Sequence, residues 1–130
     1  MIKYFDGGMG SMLNLRPGEL PEKLNISDPD RVYRVHKAYA DAGADIITAN
    51  TFGANRLKYD NCDELVKAGV ALAKKTGKKV ALDLGPTGKL LKPMGDLDFE
   101  ECVSIYADVV NAGKLILSVD AAKKLEEVYA

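Results

Sequence analysis

Three short segments of this sequence combine glycines with polar side chains, and each of them directly follows an apolar run. They are residues 6–11, 50–55 and 85–88. The carboxylate of Asp6 could hold the ammonium group of a ligand, and the hydroxyl of Thr87 with the amides around it could hold a carboxylate. Together the three segments predict a binding site for a small polar molecule.

The glycine-rich segment after Asp6 differs from the common nucleotide-binding loops. Gly7, Gly8 and Gly10 allow backbone amides to approach a ligand closely. Their spacing is not that of a dinucleotide fingerprint, and the Gly-Lys-Ser/Thr sequence of a phosphate-binding loop is missing. A tight turn that binds nothing remains the alternative for this segment, as it does for 50–55 and 85–88.

One carboxylate, Asp83, lies inside an apolar run, where it is costly unless it is paired or faces a polar centre. The candidate substrate-binding residues all lie at or near the end of an apolar run: Asp6, Gly7, Gly8, Gly10, Ser11, Asn50, Thr51, Asp83, Gly85 and Thr87. No residue is assigned to catalysis or to a metal.

Helical patterns alternate with the apolar runs that must position these residues. The patterns predict strands over residues 2–5, 46–49, 79–84 and 115–119, and helices over 30–42, 60–76, 98–112 and 121–129. Pro29 suits the first position of a helix, and the glycines at 43 and 77 are typical of helix ends. Residues 12–26 are expected to form an irregular connection. The single histidine, His36, is expected on a helix surface or partly packed, not in catalysis.

Alternating strands and helices are typical of an α/β protein with a parallel sheet. The carboxyl ends of parallel strands lie at one edge, which is where such folds bind ligands. Right-handed crossovers would curl four such units into about half of a TIM (β/α)8 barrel. A complete barrel takes about 250 residues, and this chain has 130, so it is expected to form one domain over residues 1–130.

Composition excludes several classes of function. The formal net charge is −1, so there is no basic surface for nucleic acid or an acidic membrane. No apolar run approaches the length of a membrane span, and the first residues show no secretory pattern. Two cysteines, Cys62 and Cys102, suggest neither a disulfide framework nor a zinc knuckle. A cytoplasmic protein is expected.

Several of these motifs are similar, in the same order, to the homocysteine-binding domain of cobalamin-dependent methionine synthase, a homocysteine S-methyltransferase. The similar segments are residues 6–13, 20–25, 35–39, 42–47, 50–55 and 85–88, so the resemblance covers residues 2 to about 113. The run Asn-Thr-Phe-Gly-Ala-Asn at 50–55 resembles the cobalamin-type branch of the family more than the betaine-dependent branch.

The resemblance implies a TIM barrel in which a zinc ion, held by three cysteine thiolates, binds the sulfur of homocysteine. The thiolate then attacks the methyl group of methylcobalamin, so the resemblance implies methyl transfer from methylcobalamin/methyltetrahydrofolate to homocysteine. The resemblance also implies that Asp6, the amides after it and Thr87 lie near the amino-acid end of homocysteine. Asn50 and Thr51 would line the same cavity.

The sequence departs from the family in its last part. The zinc cysteines of the family lie in the second half of the barrel, and neither Cys62 nor Cys102 matches one of them. Residues 114–130 diverge from the family pattern, with Asp120 as a candidate for the acidic residue at the end of the fourth strand. We therefore expect that this chain alone binds neither zinc nor methylcobalamin and transfers no methyl group.

Two classes of function remain open. The first is an enzyme fragment that acts with a complementary half-barrel chain, and the second is a non-catalytic module that binds an amino acid or assembles with itself. Sheet edges at 2–5 and 115–119 would be unpaired in a half-barrel, which predicts a homo-oligomer in which two four-stranded halves close one ring. A monomer whose last helix covers the open face is the alternative.

Overall fold

A parallel sheet forms the centre of the fold in a computed structural model, which describes residues 1–129 and the side chains of residues 1–114. Strand β1, Ile46–Thr48, pairs in parallel with β2, Lys79–Ala81, and Ile47 lies opposite Val80. Phe5 extends the sheet on the other side of β1 through a single parallel bridge to Ile46. The predicted α/β class with parallel strands is confirmed, although all three strands are shorter than predicted.

The helices surround this sheet. They are α1 (Gly10–Leu13), α2 (Leu24–Ser27), α3 (Pro29–Asp41), α4 (Cys62–Lys74) and α5 (Phe99–Tyr129), with a 3-10 turn at Pro21–Lys23. Helix α3 begins at Pro29 as predicted. Gly43 and Gly77 have φ of +108° and +76° just after α3 and α4, a conformation that glycine adopts without strain.

Two predictions about local structure are wrong. Residues 12–26 are not an irregular connection, because parts of them fold into α1, the 3-10 turn and α2. The predicted strand 115–119 and the predicted break before it lie within the continuous helix α5. A short apolar run is compatible with a strand or a buried helix, and Gly113 lies within the helix and does not adopt the left-handed conformation of a helix end. Asp120 consequently lies inside α5 and not at the end of a strand, and the predicted helix 121–129 is the last part of α5.

Gly113 instead allows α5 to pack closely against Leu82. A Cβ atom at this position would lie 2.9 Å from Cδ1 of Leu82, so α5 approaches the segment after β2 closely there. This contact holds α5 against the sheet layer, and α5 also packs extensively against α4. The third helix predicted from the sequence therefore exists, but it begins at Phe99 and continues to Tyr129.

The core lies in two clusters between the sheet and the helices. The larger one joins the sheet to α4, with Ile47, Leu65, Val66 and Val70 almost completely buried. The smaller one lies between α1, α2 and α3 and includes Leu13 and Val32. Burying each side chain of this size contributes about 1.5 to 3 kcal/mol. These clusters fix the strand ends that carry the candidate site.

The position of His36 differs from the prediction. Its side chain is completely buried in α3, and neither ring nitrogen has a hydrogen-bond partner among the described residues. Helix α3 is packed against α1, α2, α4 and β1, so the face that carries His36 is covered and does not reach solvent. Within the described residues, no helix is both long and apolar enough to cross a membrane.

Candidate functional site

A cavity of about 370 Å³ opens at the edge of the sheet where the three parallel strands end. Its wall combines the segment after Phe5, the 3-10 turn, the segment after β1 and one residue after β2. The lining residues are Asp6, Gly7, Gly8, Met9, Gly10, Pro21, Glu22, Thr48, Ala49, Asn50, Thr51, Phe52 and Asp83. Seven of the ten predicted site residues belong to this set, whereas Ser11, Gly85 and Thr87 do not.

Asp6 is fixed at the end of the first strand. Its backbone N–H donates to the carbonyl of Ile46 at 3.0 Å, and its Oδ2 accepts the N–H of Thr48 at 3.0 Å. The carboxylate is thereby held against β1 and lines the cavity. A negative charge that is positioned in this way can pair with an ammonium group of a ligand.

Two further carboxylates, Glu22 and Asp83, line the same cavity. Burial raises the pKa of Asp83, and the negative charges of Asp6 and Glu22 raise it further, while a backbone hydrogen bond from Leu84 opposes them. A carboxyl group that is buried beside other negative charges binds a proton more readily. A nearby cation would instead stabilise it as the carboxylate. The arrangement therefore gives the cavity a preference for a positively charged group.

The side chain of Thr51 connects the end of β1 to the segment after β2. Its side chain is completely buried, its hydroxyl donates to the carbonyl of Asp83 at 2.9 Å, and its Oγ1 accepts the N–H of Asp83 at 3.1 Å. These contacts join the end of β1 to the segment after β2 and set the position of the Asp83 carboxylate. The hydroxyl is engaged with the backbone, so Thr51 shapes the cavity in this structure.

Asn50 also holds the cavity wall together. Its Nδ2 donates to the carbonyl of Pro21 at 2.8 Å and to Oδ1 of Asn25 at 2.9 Å. Asn25 in turn donates from Nδ2 to the carbonyls of Asn50 and Leu65. Both side chains are buried, so this network ties the segment after β1 to α2 and α4.

Glu22 was not among the predicted site residues, yet both of its carboxylate oxygens accept hydrogen bonds within the cavity wall. It is 2% exposed, its Oε1 accepts the N–H of Gly53 at 2.6 Å, and its Oε2 accepts the hydroxyl of Tyr59 at 2.8 Å. The Leu-Pro-Glu sequence around it gives no local signal of burial. Its partners lie more than thirty residues further along the chain.

The glycines of the first segment have different roles. A Cβ on Gly7 would lie 2.8 Å from the hydroxyl oxygen of Tyr39, and this hydroxyl donates to the carbonyl of Gly8 at 2.8 Å. Tyr39 on α3 therefore contacts the loop, and a side chain at position 7 would require the Tyr39 ring to move. Gly10 and Ser11 belong to α1, and nothing lies within 4 Å of a Cβ built on Gly10.

Gly85 and Thr87 lie at the same edge of the sheet but line or adjoin a neighbouring cavity. Thr87 borders a space of about 430 Å³ together with Lys58, Asn55 and Gly88, and the two cavities share Pro21, Glu22 and Phe52 as a wall. The Thr87 hydroxyl donates to the carbonyl of Lys89 at 3.0 Å and so closes its own turn. A Cβ on Gly85 would lie 2.2 Å from the carbonyl oxygen of Phe52, so only glycine fits there.

The cysteines lie away from the cavity. Cys62 is buried in α4, where burial raises the pKa of its thiol to about 11, and this disfavours the thiolate that zinc binds. Cys102 is partly buried in α5. In the part of the chain that the structure describes, no three His, Cys, Asp or Glu side chains are grouped to hold a metal. These residues do not fit a thiolate zinc site, and the absence of zinc binding by this chain stays a prediction.

Comparisons with known proteins decide the family. A model of the homocysteine S-methyltransferase family matches residues 4–125. The chain belongs to this family. The chain is similar to the methionine synthase of Mycobacterium tuberculosis, with 32% identity over an alignment of 107 residues that covers 71% of this chain.

Solved structures agree with the fold expected for a homocysteine S-methyltransferase. The metallated form of the homocysteine methyltransferase MmuM from Escherichia coli matches 85% of the chain with a TM-score of 0.69 at 20% identity. The oxidized form of MmuM matches 88% of the chain with a TM-score of 0.71 at 20% identity. The chain spans 9% of the methionine synthase and about half of MmuM.

Proposed function

We propose that this chain is the part of a homocysteine methyl-transfer site that binds the amino-acid end of homocysteine. The observation that carries the proposal is the cavity at the carboxyl ends of the strands, with the carboxylates of Asp6, Glu22 and Asp83 in its wall. An α-ammonium group next to these carboxylates gains charge-assisted hydrogen bonds. Membership of the homocysteine S-methyltransferase family supports homocysteine as the source of that group.

In this proposal the residues of the cavity wall have different roles. Asp6 pairs with the ammonium group, since its carboxylate is fixed at the cavity by the Thr48 amide. The amides of residues 7–10 would bind the carboxylate of the amino acid, whereas Thr87 borders the neighbouring cavity. Asn50, Thr51 and Glu22 hold the wall in shape through their contacts with other segments.

This chain is not proposed to bind the sulfur of homocysteine. The family resemblance implies a zinc ion, which favours the thiolate form of homocysteine. It also implies methylcobalamin as the methyl donor. The described residues offer no thiolate set for such an ion, so this chain would supply only binding and orientation of the substrate. The placement of Cys62 and Cys102 away from the cavity favours, as a second candidate, a non-catalytic amino-acid-binding module.

Replacing Asp6 by asparagine tests the binding role. Asparagine keeps an oxygen that can accept the Thr48 N–H but loses the negative charge. We expect homocysteine binding, measured by isothermal titration calorimetry, to weaken about ten- to a hundredfold, because a hydrogen bond to a charged group contributes about 1.5 to 3 kcal/mol. Asp63→Asn, which removes an exposed carboxylate from the first turn of α4, is the matched control. Equal affinities for both variants would contradict the role of Asp6.

An assay of the unmodified chain tests whether it catalyses methyl transfer without a partner. We expect no methyl transfer from methylcobalamin to homocysteine above the uncatalysed rate, even with added zinc, because the described residues cannot hold the ion that activates the thiol. Production of methionine is measured with no other protein present. Turnover well above background would show that this chain is a complete catalyst, and homocysteine binding without turnover would support a binding part.

A further inference from the structure

The cavity of about 430 Å³ beside the candidate site differs from it in charge. Its wall includes the ammonium group of Lys58, whereas the described residues that line the first cavity include three carboxylates and no lysine or arginine. Pro21, Glu22 and Phe52 lie between the two spaces and line both. Two adjoining cavities at one edge of the sheet therefore favour ligand groups of opposite charge.

Packing positions the ammonium group of Lys58, although the residue is exposed. Its Nζ lies 5.4 Å from the centre of the Tyr59 ring, a distance at which a cation is attracted to an aromatic face. The same Nζ would lie 3.0 Å from a Cβ atom on Gly53, so the side chain folds across this glycine. Tyr59 is buried, and its hydroxyl donates to Glu22. A fixed ring thus holds the ammonium group beside the second cavity.

Lys58 forms no ion pair with a carboxylate of the described residues. Other cationic side chains do form such pairs: Arg31, Lys37, Arg56 and Lys92. Glu22 is the only carboxylate among the described residues that line the second cavity. It is 2% exposed, and its two oxygens accept hydrogen bonds from Gly53 and Tyr59. The charge that this cavity presents to a ligand is therefore the positive charge of Lys58.

The turn at Thr87 and Gly88 adds backbone donors to the same wall. The hydroxyl of Thr87 donates to the carbonyl of Lys89 at 3.0 Å and accepts its N–H at 3.2 Å, so this side chain is engaged. The N–H groups of Thr87 and Gly88 donate to no described residue. Unpaired amides beside an ammonium group are donors that a carboxylate accepts.

Apolar side chains supply the rest of the wall. Pro21, Phe52 and Pro86 line the cavity, and Phe52 is 55% exposed. Proline and phenylalanine rings offer flat apolar surfaces that favour an apolar ligand body. A space of about 430 Å³ is large enough for a ring with a short chain. The ligand that fits these walls is thus apolar at one end and anionic at the other.

We propose that the second cavity binds a small carboxylate with an apolar body, and that Lys58 and the amides of Thr87 and Gly88 hold the carboxylate. This molecule would bind beside the amino acid of the first cavity and not in its place. Homocysteine is not required for its binding, because none of these three donors belongs to a residue that lines the first cavity.

Phenylacetate is a suitable probe, and NMR titration of the unmodified chain reports where it binds. We expect a Kd of about 1 mM, with shifts of the Thr87 and Gly88 amide resonances and none at Gly7 and Gly8. 2-Phenylethylamine, which has a similar body and the opposite charge, should leave the Thr87 and Gly88 resonances unchanged. No shift at these two amides up to about 20 mM phenylacetate, or equal shifts with both compounds, would overturn the proposal.

Lysine variants test the role of the ammonium group. Lys58→Gln should weaken phenylacetate binding about fivefold, the effect of losing one partly solvated ion pair, and Lys58→Arg should retain most of the affinity. Lys23→Gln is the matched control, because Lys23 is an exposed lysine of the neighbouring 3-10 turn and lines neither cavity. Equal affinities of Lys58→Gln and Lys23→Gln would contradict the assignment of Lys58.

Repeating the titration with excess homocysteine separates this subsite from the proposed function. We expect the affinity for phenylacetate to be unchanged, because the two ligands occupy different cavities. Displacement of phenylacetate by homocysteine would assign the second cavity to the carboxylate of the amino acid itself and would overturn the proposal of a second ligand. Phenylacetate binding without any homocysteine binding would contradict the proposed function and leave this subsite in place.

Discussion

Replacing Glu22 by alanine is expected to lower the free energy of unfolding by about 4 kcal/mol, because two hydrogen bonds to a buried carboxylate are lost and each contributes about 1.5 to 3 kcal/mol. The N–H of Gly53 and the hydroxyl of Tyr59 would be left without their acceptor. Domains of this kind have only about 5 to 15 kcal/mol of stability, so the variant should be close to unfolding. Urea denaturation followed by circular dichroism gives the value.

Two further variants serve as controls for Glu22→Ala. Glu100→Ala removes an exposed carboxylate from the first turn of α5 and should change stability by less than about 0.5 kcal/mol. Glu22→Gln keeps the shape and one acceptor oxygen, so it should fall between the unmodified chain and Glu22→Ala. If Glu22→Ala were as stable as Glu100→Ala, the carboxylate would not be holding the cavity wall.

Acidification is expected to destabilise the chain through His36. Burial lowers the pKa of this imidazole from 6.5 to about 4, although the negative charge of Asp6 opposes the shift. The unfolded chain therefore binds more protons than the folded chain between these two values, and stability falls as the pH falls from 6.5 to 4. A shift of this size corresponds to about 3 kcal/mol over that interval.

The contribution of His36 is isolated by comparison with His36→Leu. Both proteins contain the same carboxylates, so the difference between their stability curves from pH 7 to pH 4 reports on the imidazole. We expect the curve of the unmodified chain to be steeper by about 3 kcal/mol over that range. At pH 7 the leucine variant should lose little, since neither ring nitrogen has a hydrogen-bond partner among the described residues. Parallel curves would contradict a buried neutral His36.

Rules about residues close in sequence were sufficient to predict the parts of the fold that depend on such neighbours. The start of α3 at Pro29 and the helix ends at Gly43 and Gly77 follow from fixed or permissive φ angles at single residues. The positions of Asp6, Asn50, Thr51 and Asp83 at one cavity follow from strands that run parallel. Periodicity and turn residues carry this information without any knowledge of tertiary contacts.

Long-range packing accounts for what the sequence did not reveal. The burial of Glu22 depends on Gly53 and Tyr59, which come close only after the sheet has formed. The burial of His36 depends on neighbouring helices that cover α3 on several sides. The apolar run at 115–119 could not be distinguished from helix by periodicity, because a run of five residues satisfies either pattern. Thr87 was placed at the right edge of the sheet but in the adjacent cavity.

The contrast between Gly7 and Gly10 bears on how this protein can evolve. Both line the cavity, but Tyr39 occupies the space that any side chain at position 7 would need. Position 10 has a negative φ and open space around it, so mutation can add a side chain there without disturbing the loop. Substitutions at position 10 are therefore one route by which selection could narrow the cavity and change which small molecules it accepts.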